Sequence, residues 1–105
     1  MPCVKIIKCL AEKIQEEIQD AEAYISLAME WKAEEPEVAE LFAELSKEEM
    51  GHADRLHKAV AELIRRYREQ NGEPPAGMLA LYNYLHEKQI ADAMRVRVKQ
   101  GIFAE

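Results

Sequence analysis

Apolar residues recur at alternating steps of three and four along most of the chain, the spacing that lines one stripe of an α-helix. From residue 7 to 31 such a stripe takes in Ile7, Leu10, Ile14, Glu17, Ala21, Tyr24, Ala28 and Trp31, all but Glu17 apolar or aromatic. From 38 to 63 the same count gives Val38, Phe42, Leu45, Glu49, His52, Leu56, Ala59 and Leu63, with two polar residues interrupting together. A third stripe runs through Ala80, Tyr84, Glu87, Ala91, Met94 and Val98. Helix breakers cluster only at Glu34-Glu35-Pro36 and between Asn71 and Gly77. Pro36 suits the first turn of a helix and Gly72 the left-handed residue just past one. The pattern therefore predicts helix one to about Glu34, helix two from about Pro36 to Gln70, and helix three after Pro75. Helices one and two would each be roughly 45–50 Å long at 1.5 Å per residue, a length found in bundles. Their short connection makes them antiparallel neighbours. The expected fold is all-α, a long hairpin over residues 1–70 with a linker and third helix over 71–105 in the same domain.

Composition agrees. Ala, Glu, Lys, Leu and Arg supply 55 of 105 residues, and Thr is absent. The net charge of −6 argues against nucleic acid as a partner. The longest stretch free of charged side chains, Pro74 to His86, falls short of the roughly 20 apolar residues a membrane helix needs. Lys5, Lys8 and Glu12 interrupt the first apolar segment, so a secretory signal is not expected and the cytoplasm is the expected location. Cys3 and Cys9, six residues apart, suit neither a disulfide framework nor a zinc pair and are read as reduced.

Glu17, Glu49 and His52 are the anomalies of the seam. Glu17 precedes Glu35 by 18 positions, about 27 Å from the turn, while Glu49 and His52 follow it by 14 and 17, about 21–26 Å. All three share one layer of an antiparallel pair. Uncompensated carboxylates in a bundle interior cost several kcal/mol each, and a cation offsets that cost. Glu49 and His52 lie one turn apart on one face, so an oxygen and a nitrogen can converge on one ion. The competing reading is an ion pair that only sets helix register. Glu87 sits too near its own turn, about 16 Å against 35 Å for Glu49, to join them. His86 reads as a satisfied or half-exposed histidine, and His57 falls off the seam. Gly51 offers space for another helix to approach, Tyr24 is a core residue two turns from Glu17, and Glu16, Asp20, Glu48 and Asp54 flank the seam as a possible acidic route for a cation.

The stretches Glu17-Ile-Gln-Asp-Ala-Glu-Ala-Tyr24, Tyr24-Ile-Ser-Leu27 and Glu48-Glu-Met-Gly-His-Ala53, with the 32-residue interval from Glu17 to Glu49, resemble the ferritin-like superfamily. The likeness is strongest to its rubrerythrin-like and short encapsulated-ferritin-like branches and covers about residues 10–66. It implies Glu17 as a terminal carboxylate, Glu49 as a bridging carboxylate and His52 as a nitrogen ligand. A di-metal carboxylate centre in a four-helix bundle takes Glu from two helices and Glu-x-x-His from two others, and this chain carries half of that set. A two-fold dimer of hairpins would complete both the bundle and the set. The resemblance thus implies a homodimer or higher homo-oligomer with an intersubunit site for two irons, zinc or manganese being alternatives, and redox chemistry with dioxygen or peroxide. From another class comes a metal-free helical interaction module whose buried Glu and His set fixes dimer register. Helix three, apolar from Met78 to Leu85, is expected to cap the bundle or to mediate further assembly.

Overall fold

The computed structural model of the protein describes residues 2–105, with side chains from Val4 onward. It consists of α1 (Pro2–Trp31), α2 (Pro36–Asn71) and α3 (Ala76–Ala104). The turns follow from their residues. Pro36 opens α2, where its missing N–H is no loss, and the Glu35 carbonyl accepts from the Ala39 amide at 2.9 Å. Helix one ends at Trp31, about a turn earlier than the sequence suggests, because Lys32–Glu34 form the turn and the Glu35 amide donates back to the Trp31 carbonyl at 2.8 Å. At the other end of α2, Gly72 adopts φ 77° and donates to the Arg68 carbonyl at 3.1 Å. That left-handed backbone costs glycine nothing.

α1 and α2 form the antiparallel hairpin, and α3 returns along it, mainly against α1. The core joins Ile7, Ile14, Ile18 and Ala21 to Met50, Ala53, Val60 and Val96, and near the α1–α2 turn Ile25, Ala28, Ala39 and Ala43 to Phe103. Against the sequence stripe, the buried row of α2 is displaced by one residue: Ala39, Ala43, Ser46, Met50, Ala53, Val60 and Ile64 are buried, whereas Val38, Phe42, Leu45, Glu49, His52, Leu56, Ala59 and Leu63 are half-buried or exposed. One residue is about 100° of helix rotation. The hairpin turns the Met50, Ala53 and Ile64 side of α2 partly toward α3, so the 4-3 stripe lies along the edge that faces away from α3.

α3 departs further from expectation. Ala80, Tyr84, Glu87, Ala91, Met94 and Val98 are all exposed, and the face that packs is Tyr82, Gln89, Ala93, Val96, Gln100 and Phe103. Hydrogen bonds explain the choice, because two glutamines find buried partners on that face. The Gln89 amide donates to the Ala11 carbonyl at 3.0 Å, and Gln100 donates to Ser46 Oγ at 2.9 Å, which itself donates to the Ala21 carbonyl at 2.7 Å. Ser46 thereby links all three helices in a polar network with its groups paired. Along the rim, Arg95 and Lys99 meet Glu22 at 3.0 and 3.2 Å, and Arg97 meets Asp54 at 3.3 Å. Lys32 donates to the Phe103 carbonyl at 2.6 Å and lies 4.9 Å from the centre of its ring. No helix among the described residues is long and apolar enough to cross a membrane. Cys9 is an exposed free thiol, and the Cys3 side chain lies outside the described residues.

Candidate metal centre

Glu17 stands midway along α1, and Glu49 and His52 stand one turn apart on α2. The antiparallel hairpin brings them to one height, as the count from the turn requires. His52 Nδ1 lies 3.5 Å from Glu17 Oε2 and 3.8 Å from Glu49 Oε2. One candidate ligand atom from each residue falls within 4.8 Å of the other two. Two ligands at about 2.1 Å from a common ion can be no more than about 4.2 Å apart, so closing on a cation asks only for side-chain shifts of some tenths of an ångström.

The cluster is not in a dry interior. The side chains of Glu17 and Glu49 are 27% and 20% exposed and that of His52 is 53% exposed, at the hairpin edge remote from α3. Within this setting one atom is anomalous: Glu17 Oε2 is itself buried and has no hydrogen-bond partner. Buried acceptors are nearly always paired, and a carboxylate oxygen more so. It points at the imidazole but too far away to accept a good hydrogen bond. A cation between Glu17, Glu49 and His52 would satisfy it. Two carboxylates and an imidazole suit iron(II), manganese(II) or zinc(II). A shallow cleft bordered by Glu17, His52, Arg55 and Leu56 lies beside the three residues, and an ion held by them alone would have coordination positions left for other ligands. Arg55, three residues after His52 on the same face, was not singled out from sequence, although that spacing is the signal for it.

The neighbours sort themselves by face. Tyr24 is half-buried and its ring lies 6.3 Å from that of Phe42, at 24° between planes. A Cβ built on Gly51 meets nothing within 4 Å, so packing within one protomer does not require the glycine. Glu16 pairs with Lys13 at 3.2 Å, and Asp20 and Glu48 are exposed. Asp54 bonds to Arg97 on α3 and so belongs to the opposite side of α2 from the cluster, which removes it from any acidic route. Glu87 is exposed on the outer side of α3 and does not approach the three residues. His57, off the seam as expected, faces α3. Its ring centre lies 5.0 Å from that of His86, which stacks on Tyr82 at 5.6 Å. Burial first, then the neighbouring His86, holds the His57 imidazole below its ordinary range, and burial pushes the Tyr82 phenol up. His86 is half-buried, and its Nδ1 has no hydrogen-bond partner.

In a comparison with protein-family models, the rubrerythrin family matches residues 8–77, a span that contains Glu17, Glu49 and His52. No curated protein and no solved structure shows a significant match.

Proposed function

The chain belongs to the rubrerythrin family, within the ferritin-like superfamily, and from that footing we propose that it is an iron-binding protein whose ligands are Glu17, Glu49 and His52. The observation that carries this reading is the unpartnered Glu17 Oε2, buried beside an imidazole and a second carboxylate that converge on it from another helix. Each protomer supplies half of a di-metal carboxylate set. The face around it is prepared for a second copy: Leu10, Tyr24, Phe42, Leu56 and Leu63 are only partly buried, and Trp31 and Val38 are 37% and 42% exposed. A two-fold pairing over this face brings together four carboxylates and two imidazoles and covers those side chains. The site then holds two irons between subunits.

In that assembly Glu17 and Glu49 supply hard anionic oxygen that favours iron in both oxidation states, and His52 supplies a neutral nitrogen. Bound iron would supply electron transfer to dioxygen or peroxide, giving a ferroxidase or a peroxide-reducing activity. The surrounding Leu10, Tyr24 and Leu56 would keep bulk water from the ligands once the partner is in place. Anaerobic titration with Fe²⁺ is expected to end near one iron per chain and to raise the mean molar mass above its value in chelator. Admission of air should then give a ferric absorbance that Glu49→Gln and His52→Ala abolish. Absence of iron binding in the wild type would overturn the proposal. It would favour instead the metal-free module, in which the 3.5 and 3.8 Å contacts of His52 serve only as a register-setting ion pair.

A further inference from the structure

The packing of α3 on Gln89, Val96, Gln100 and Phe103 leaves the opposite side of the helix apolar and bare. Tyr84, Met94 and Val98 are 67%, 63% and 60% exposed, and Ala80, Ala91 and Ile102 complete a continuous line. With Glu87 between Tyr84 and Ala91, successive members are three or four residues apart, so they form one ridge about 33 Å long and about 10 Å wide. Isolated exposed apolar residues are ordinary, but a ridge of this length with a single charge in it is an interaction surface.

We propose that this ridge pairs with the α3 ridge of a second copy, antiparallel, about a two-fold axis near Ala91. The ridge itself selects the partner and its direction. Glu87 is the sole charge within it, and a parallel pairing would set Glu87 against Glu87 in an apolar contact, at a cost of like-charge repulsion. In the antiparallel pairing, residues equally far from Ala91 on either side face one another. Glu87 then meets Arg95 of the other copy, four residues away in the opposite direction, and the contact is made twice. Arg95 stands on the rim beside the ridge, where Glu22 and Asp92 hold it at 3.0 and 3.1 Å, and the pairing adds a third carboxylate to its guanidinium. Sizes match in the same register: Tyr84 faces Val98, Ala80 faces Ile102, and Ala91 faces Ala91, where two small side chains let the helices approach closely. This interface lies on the other side of the molecule from Glu17, Glu49 and His52 and does not depend on them.

The experiment measures molar mass by sedimentation equilibrium in the presence of chelator. Wild type is expected to be dimeric, and Met94→Glu with Val98→Glu, both at exposed positions, monomeric with unchanged helicity by circular dichroism. In a background with Cys3→Ser and Cys9→Ser, Ala91→Cys should cross-link to itself on mild oxidation while Ala80→Cys should not. A parallel pairing would cross-link both. A wild type monomeric in chelator, an unchanged mass for the double variant, or equal cross-linking of the two cysteines would each overturn the proposal. Adding Fe²⁺ to the double variant tests the metal face separately, since pairing there restores a dimer whatever the fate of the α3 ridge.

Discussion

Replacing Glu17 by leucine separates a metal ligand from a structural ion-pair partner by the sign of its effect on stability. In the absence of metal the carboxylate holds one buried oxygen with no hydrogen-bond partner, a condition worth about 1–3 kcal/mol of destabilisation. Its side chain is 27% exposed, and solvent reduces the penalty toward the lower end, about 1 kcal/mol. Leucine removes the penalty and adds apolar contact with the half-buried Leu56, which borders the same cleft. For a domain of this size about 1 kcal/mol raises the melting temperature by roughly 4–8 °C. Wild type should regain the lead when iron is present, because a ligand at about 100 times its dissociation constant stabilises the folded state by about 2.7 kcal/mol. The assay is thermal unfolding by circular dichroism at pH 7, with chelator and with anaerobic Fe²⁺, for wild type, Glu17→Leu and Glu17→Gln. The variants should melt higher in chelator and fail to respond to metal, so the ranking inverts between the two conditions. A fall in melting temperature for Glu17→Leu in chelator would show that the Glu17–His52 contact stabilises the apo fold and would refute the reasoning.

Further outcomes follow from the same geometry. Ser46→Ala strands the Gln100 amide in the core and should cost about 1–3 kcal/mol, read as a lower urea midpoint with an unchanged slope. Gly51→Ala, whose Cβ meets nothing within the protomer, should stabilise the chelator-treated protein by about 1 kcal/mol through helix propensity. Gly72→Ala should instead destabilise by about 1–2 kcal/mol, since φ 77° disfavours any side chain. The His57 imidazole titrates lower when folded than its ordinary 6.5. Well above pH 6.5 both states are neutral there and the group has no effect. As the pH falls below that value the unfolded chain takes up the proton first and stability declines, until the pH passes below the folded value. Melting temperature measured between pH 7 and 5 should therefore fall less steeply for His57→Gln than for wild type.

The helical framework was legible because its punctuation is strong: Pro36 and Gly72 mark the limits of α2 within a residue, and nothing between them interrupts the helix. The convergence of Glu17, Glu49 and His52 was legible for the same reason, since equal distance from a turn is simple counting on straight antiparallel helices. The burial of the three was not. A 4-3 stripe reports the direction in which two helices face one another, and the third helix rotates the dry side toward itself by one residue. α3 misled most, because its apolar residues are spread over nearly every side, and periodicity then offers no preferred face. Its seating is decided by Gln89 and Gln100, which resemble surface residues until Ala11 and Ser46 are seen to receive their amides.

The one-residue offset along α2 has a consequence for any mutational scan of this helix. Glu49 and Met50, His52 and Ala53, Ala59 and Val60, and Leu63 and Ile64 are adjacent in sequence, yet in each pair the first looks outward and the second inward. Substitutions there should fall into two interleaved series, one changing ligand affinity or association while leaving the melt nearly intact, the other collapsing the fold. A variant's phenotype would then alternate from codon to codon.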